Sequence, residues 1–259
     1  MKIHCLGNTG YDKLQQSGFG FIVQDDEEYL MFDCGPYALR SMQKIGLKPN
    51  DINSVFISHM HPDHCLGLPW LFNSLMMDEY YKEYTVSKKE IIIPNGKNHH
   101  VIEYIKENYG WMIGDEQICL HLDDSCSYDV GSFHLEIFPL KHSVENYGVA
   151  VTKNGYKVVY VPDFIASESP DLKNALKDAD VAIISIAGSI HYRDDANQYG
   201  FSIAEDVAAL ANDCNVKKVL GFHLFYDDDQ NAVKFEIKKT FSGKFSIPNE
   251  GDVIEVGLR

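Results

Sequence analysis

The sequence predicts a layered α/β protein. Short apolar runs alternate with longer amphipathic segments, and the strands come first as hairpins and later alternate with helices. A third observation concerns chemistry: three histidines and an aspartate crowd into six residues, His59-Met60-His61-Pro62-Asp63-His64, straight after an apolar run.

In chain order, "KIHCLG" (Lys2–Gly7), "GFIVQ" (Gly20–Gln24) and "EYLMFDCG" (Glu28–Gly35) read as early strands. "LGNTG" between them reads as a turn, because it lacks the spacing of a phosphate-cradling loop. "PYALRSMQKIGL" has helical periodicity, and "INSVFISH" (Ile52–His59) reads as a buried strand entering the histidines. "CLGLPWLFNSLMMDEYY" resumes as a core-facing helix, "KEIIIPNG" is a strand, and a helix follows near Asn98–Tyr109. "FHLEIFPLKHS", "NYGVAVTKNGYKVVYVPD" and "ADVAIISIAG" supply further strands, with Asn154-Gly155 as a hairpin turn. "SIAEDVAALANDC" reads as a helix with Ser202 as N-cap and Glu205 closing a capping box. "VKKVLGFH" is the next strand. No linker, repeat or low-complexity block interrupts this pattern, so 1–259 is expected to form a single domain.

The 259 residues are 45% hydrophobic and 24% charged, an ordinary globular composition. No apolar run approaches the ~18 residues that span a bilayer, and "MKIHCLG" lacks the pattern of a secretory leader. The six cysteines show no CxxC spacing and are expected to be reduced thiols in the cytoplasm. A net charge of −15 argues against a long nucleic acid as partner. A small anionic substrate remains compatible, because a bound dication reverses the local field.

In an extended chain residues i and i+2 point the same way, so His59 and His61 can face one point. Pro62 turns the chain, and Asp63 and His64 open a helix toward a second point. Imidazole with a little carboxylate suits Zn²⁺ first and Mn²⁺ or Fe next. Further candidate ligands follow apolar runs downstream: His142 after "FHLEIFPLK", Asp163 after "KVVYVP" and His223 after "VKKVLGF". His4, His99, His100, His121 and His134 lack that context.

"HMHPDH" resembles the HxHxDH motif of the metallo-β-lactamase-fold hydrolases, and His142, Asp163 and His223 follow in that superfamily's order. The resemblance runs from "LGNTG" through "FDCG" to "GFHLF". It implies a four-layer αβ/βα sandwich and two divalent metal ions. By it His59, His61 and His142 hold one ion, Asp63, His64 and His223 the other, Asp163 bridges them, and Asp33 orients ligand histidines. Such a pair activates a water for hydrolysis, with Asp63 as both ligand and catalytic residue.

"HSVENYGVAV" and "GFSIAEDVAALANDCNVKKVLGFHLF" are similar to the ribonuclease Z side of the superfamily, where phosphodiesters are cut. Two departures stand out. Phe201 of "GFS" takes the place of that family's proton-handling histidine, and "IISIAGS" lacks its glutamate. The chain also passes from Tyr147 through Asn154-Gly155 to the next strand with no room for a tRNA-gripping arm. The resemblance therefore narrows to phosphodiesterases of small nucleotide substrates such as cyclic nucleotides, the anti-Pycsar type among them, and implies a homodimer. The polar segment "SIHYRDDANQYGF" offers His191 as proton donor to the leaving group, with Tyr192 and Arg193 as further candidates for substrate contact. The alternatives are tRNA 3′-processing, hydrolysis of a lactone or thioester, and a non-catalytic metal-containing nucleotide-binding module.

Overall fold

A computed structural model describes residues 1–9, 19–80, 88–94, 103–105, 107–108, 118–121, 126–166, 169–225 and 229–257. His99, His100 and most of the expected Asn98–Tyr109 helix lie outside the described residues. Among the described residues, no helix is long and apolar enough to cross a membrane. The chain divides into two compact units, one comprising Met1–Gly7, Tyr11–Ser125 and Asn249–Glu255, the other Asn8–Gly10, Cys126–Pro248 and Val256–Arg259.

The first unit is built on a seven-stranded sheet. Its strands are β1 (Lys2–Asn8), β2 (Phe19–Asp25), β3 (Glu28–Phe32), β4 (Ser54–Phe56), β5 (Lys89–Ile92), β6 (Ile118–His121) and β14 (Val253–Glu255), in the order β14-β1-β2-β3-β4-β5-β6. β2 and β3 form an antiparallel hairpin, whereas β3 to β6 run parallel. Parallel neighbours need crossovers, which α1 (Ala38–Lys44) supplies before β4 and α2 (Pro62–Cys65) with α3 (Leu68–Tyr80) before β5. Ile22, Met31, Val55 and Ile91 on one sheet face pack in one core with Met42 of α1 and Leu71, Phe72 and Leu75 of α3. β4 ends at Phe56, earlier than its sequence suggests, and Ile57–His61 continue as irregular backbone.

The second unit repeats the plan with β7 (Ser127–Val130), β8 (Phe133–Leu140), β9 (Asn146–Lys153), β10 (Tyr156–Val161), β11 (Val181–Ser185), β12 (Lys218–Phe222) and β13 (Lys244–Ser246). Their order is β13-β12-β11-β10-β9-β8-β7. β7 to β10 form an antiparallel meander and β10 to β13 run parallel. Lys153 pairs with Tyr156, so Asn154-Gly155 is a two-residue turn, and both residues take the positive φ (53° and 80°) that a primed turn demands. The crossovers are α4 (Pro170–Leu176), α5 (Arg193–Tyr199) with α6 (Ala204–Asp213), and α7 (Gln230–Thr240). Val159, Ile184, Val207, Ala211, Val219 and Ile237 join sheet and helices in one core.

The start of α6 differs from its sequence signature. Ile203, not Ser202, is the N-cap, and its N–H donates to Asp206 rather than to Glu205. Ser202 is drawn away by tertiary bonds, its hydroxyl donating to the Phe164 carbonyl (2.9 Å) and accepting from the Ala166 N–H (2.7 Å).

Candidate metal centre

The first unit gathers His59, His61, Asp63 and His64 on the segment after β4, with Asp33 just after β3. Parallel strands end side by side, and the loops beyond them collect polar groups. Asp33 N–H bonds the Phe56 carbonyl, holding the two strand ends together (2.8 Å). Two backbone bonds then pin α2: Cys34 N–H to the His64 carbonyl and Gly67 N–H to the Cys34 carbonyl, both 2.7 Å. Glycine is required at the contact. A Cβ on Gly35 would strike the Asp63 carbonyl, and one on Gly67 would strike the Gly35 carbonyl.

Within this frame the fully buried Asp33 accepts three hydrogen bonds through its two oxygens. Its Oδ2 accepts from His64 Nδ1 (2.6 Å) and from Ser58 Oγ (2.8 Å), and its Oδ1 accepts from Ser58 N–H (2.7 Å). Ser58 Oγ lies 2.9 Å from His59 Nδ1. With Nδ1 engaged, His59 and His64 present Nε2 as their remaining donor atom. Asp33 adopts φ 56°, a left-handed conformation costly for a residue with a Cβ.

In the second unit, His142 follows β8, Asp163 follows β10 and His223 follows β12. His142 Nδ1 donates to the Gly200 carbonyl (2.8 Å), leaving Nε2 facing Asp163 Oδ2 at 3.7 Å. His223 Nε2 faces the other oxygen, Asp163 Oδ1, at 3.4 Å. Ser185 Oγ donates to Asp163 Oδ1 (3.2 Å), and the Asn146 amide donates to the Asp163 carbonyl. His223 sits at φ 66°, also left-handed, with its N–H on the Asn8 carbonyl (2.6 Å).

The donor spacings suit metal ions. Two ligand atoms ~2.0–2.1 Å from a tetrahedral Zn²⁺ stand ~3.3 Å apart. His59 Nε2 and His61 Nδ1 are 3.0 Å apart, and His64 Nε2 is 3.5 Å from Asp63 Oδ2. With the two Asp163 contacts, three of these four separations are long for hydrogen bonds and close to a ligand–ligand edge. Imidazole and carboxylate are the donors expected for Zn²⁺, Mn²⁺ or Fe, and the residues present therefore fit such ions. Cys34 and Cys65 flank the first cluster as buried thiols. Burial, with the Asp33 and Asp63 charges, pushes Cys65 up to about 12.

The remaining predicted positions behave differently. His191 lies in the exposed turn Ile190–Tyr192, its ring edge-on to Tyr192 at 5.0 Å between centroids. Arg193 is committed to Glu205 (3.0 Å) and Asp206 (3.2 Å) on α6, an ion pair that accounts for its charge without a substrate. His4 bonds Gln24, and His134 bonds Asp129. Sequence reasoning missed Ser58, Ser185 and Gly200 as supports of the candidate ligands. Only Gly200 carried a signal, as a glycine just past a helical stretch.

The family model described as "Anti-Pycsar protein Apyc1" matches residues 1–193. Ribonuclease Z of Archaeoglobus fulgidus is 22% identical over 93% of this chain and 93% of its own length. Ribonuclease Z of Methanococcus maripaludis is 32% identical, over 46% of this chain and 37% of its own. Among solved structures, the metallo-β-lactamase fold protein YhfI from Bacillus subtilis superposes with TM-score 0.82 at 19% identity, covering 98% of both chains. The short form of human tRNase Z gives 0.81 at 19%, covering all of both. Zinc-bound PqqB from Methylobacterium extorquens gives 0.68 at 12%, covering 99% of this chain and 100% of its own.

Proposed function

Because this chain belongs to the anti-Pycsar protein Apyc1 family and has the metallo-β-lactamase fold, we propose that it is a two-metal phosphodiesterase acting on small nucleotides such as cyclic nucleotides. The observation that carries the reading is Asp163, whose two oxygens face two different histidines. A carboxylate so flanked suits a pair of ions better than one.

In this reading the two units act as one hydrolase domain. His59, His61 and His142 hold one ion, Asp63, His64 and His223 hold the second, and Asp163 serves both. Zinc is the first choice on donor chemistry. When bound, two dications acidify a water and draw charge from the nonbridging oxygens of a phosphodiester. Asp63, with its side chain 25% exposed, orients that water and takes its proton at a carboxylate oxygen. His191 delivers a proton to the leaving alkoxide.

Three features support small substrates. The net charge of −15 disfavours a polyanion. The β9–β10 connection is a two-residue turn with no inserted arm. Phe201 supplies no titratable group beside His142 and His223. The reading carries with it a cytoplasmic homodimer, which light scattering tests for its assembly. A second reading, tRNA 3′-processing, is favoured by the ribonuclease Z relatives that span nearly the whole chain.

One experiment separates them. Zinc- or manganese-loaded protein is incubated with cyclic mononucleotides, a chromogenic phosphodiester and precursor tRNA. Turnover of a cyclic nucleotide that Asp63→Ala abolishes is the expected result. Cleavage of precursor tRNA alone moves the assignment to the second reading. No turnover of any, or turnover untouched by Asp63→Ala, rejects the two-metal phosphodiesterase.

A further inference from the structure

Resting on the metal reading above, we infer that Gly200-Phe201-Ser202 is a positioning brace for the three ligands of the second unit. The three residues lie together between α5 and α6, and each reaches a different ligand segment.

Gly200 closes α5 at φ 84°, a left-handed position that glycine takes without strain. Its carbonyl leaves the helix and accepts the His142 Nδ1 proton at 2.8 Å. A Cβ there would stand 3.3 Å from His142 Nδ1 and 3.2 Å from Ser143 N, so the close approach depends on glycine twice over. Phe201 is buried with Ala187, Ala196 and Ile203. Its ring meets His142 edge-on at 5.1 Å (66°) and lies nearly parallel to His223 at 5.4 Å (28°). Phe225 closes the other side of the same aromatic group, 4.7 Å from Phe201 and 5.7 Å from His223. Ser202 then grips the chain just after Asp163, through the Phe164 carbonyl and the Ala166 N–H.

The outcome of these contacts is angular. His142 and His223 reach opposite oxygens of one carboxylate, and a ring swing of either would lose that aim. A hydrogen bond fixes one imidazole and aromatic packing restrains both. Phe201 has no donor or acceptor, so it acts through its neighbours as a positioning residue and leaves proton transfer to other groups.

The test uses full-length protein in two arms. In the metal-free state at pH 8, long-range ¹H–¹⁵N NMR reads the tautomer of His142. The expected form in wild type is Nδ1–H, with mixed tautomers in Phe201→Leu. Zinc affinity is then measured by competition with a chromophoric chelator in wild type, Phe201→Leu, Phe201→Tyr and Gly200→Ala. Phe201→Leu and Gly200→Ala are expected to weaken at least one ion about tenfold or more, while Phe201→Tyr, which keeps the ring, binds as wild type. An Nε2–H tautomer in wild type overturns the brace, as does wild-type affinity in Phe201→Leu or equal loss in Phe201→Tyr. Absence of zinc binding by wild type overturns the two-metal reading separately, and the tautomer measurement then decides the brace.

Discussion

Asp33 and His64 are joined by a 2.6 Å bond between two fully buried side chains, Oδ2 to Nδ1. The same oxygen receives Ser58 Oγ, which in turn receives His59 Nδ1. One carboxylate therefore sets the ring orientation of two predicted ligands, one for each proposed ion. Removing the carboxyl should release both rings. Asp33→Ala is expected to lower zinc affinity ~10–100-fold, and Ser58→Ala, which severs only the His59 arm, by less. Chelator competition checks both; equal losses in the two variants would contradict the shared role.

Asp163 should govern stoichiometry. An amide keeps one carbonyl oxygen and turns the other arm into a donor, which cannot ligate a cation. Asp163→Asn is therefore expected to retain no more than one ion per chain after gel filtration, against two in wild type, by elemental analysis.

The assignment of His191 predicts a dependence on leaving group. Proton donation matters for an alkoxide and little for a nitrophenolate, which leaves unprotonated. His191→Asn should slow cyclic-nucleotide turnover ~10²-fold or more while hydrolysis of the chromogenic ester stays near wild type. Equal slowing of both substrates would remove His191 from that role.

Gly67 holds α2 against the turn after β3, where a Cβ would stand 2.7 Å from the Cys34 carbonyl and 2.8 Å from its sulfur. The neighbours are mostly backbone and cannot rotate aside. Gly67→Ala should cost about 2 kcal/mol or more, read as a fall in the urea midpoint, and should weaken metal binding because His64 rides on α2.

Lys89 yields a prediction about pH. Its side chain is buried, with Nζ on the Asn50 carbonyl (2.7 Å). Burial lowers its pKa to about 8, partly opposed by Asp51. The folded state thus binds fewer protons than the unfolded chain between pH 8 and the ordinary lysine value of 10.5. The cost of burying the charge is fully present below pH 8 and is relieved as pH rises across that window. Denaturant titrations should show this increment in wild type and its loss in Lys89→Met.

The histidine–aspartate cluster was legible because its signal is local. Three histidines and an aspartate in six residues need no partner to be conspicuous, and His142, Asp163 and His223 each follow an apolar run that ends a strand. Alternation of strands and helices likewise foretold a layered α/β fold, and Asn154-Gly155 foretold its hairpin. Tertiary structure decided what acts at a distance in sequence. Ser202 carries every mark of an N-cap, yet two bonds to the loop after Asp163 outcompete the helix for its hydroxyl, and the cap moves to Ile203. Arg193 looks available in a polar loop but is held by α6. Gly200 and Phe201 are 58 and 59 residues beyond His142, and their spacing does not show that they meet its imidazole. Sequence by itself determined which donors this protein carries and on which strand ends. Only the folded chain decided where those donors aim, because the groups that turn an imidazole are brought to it by packing.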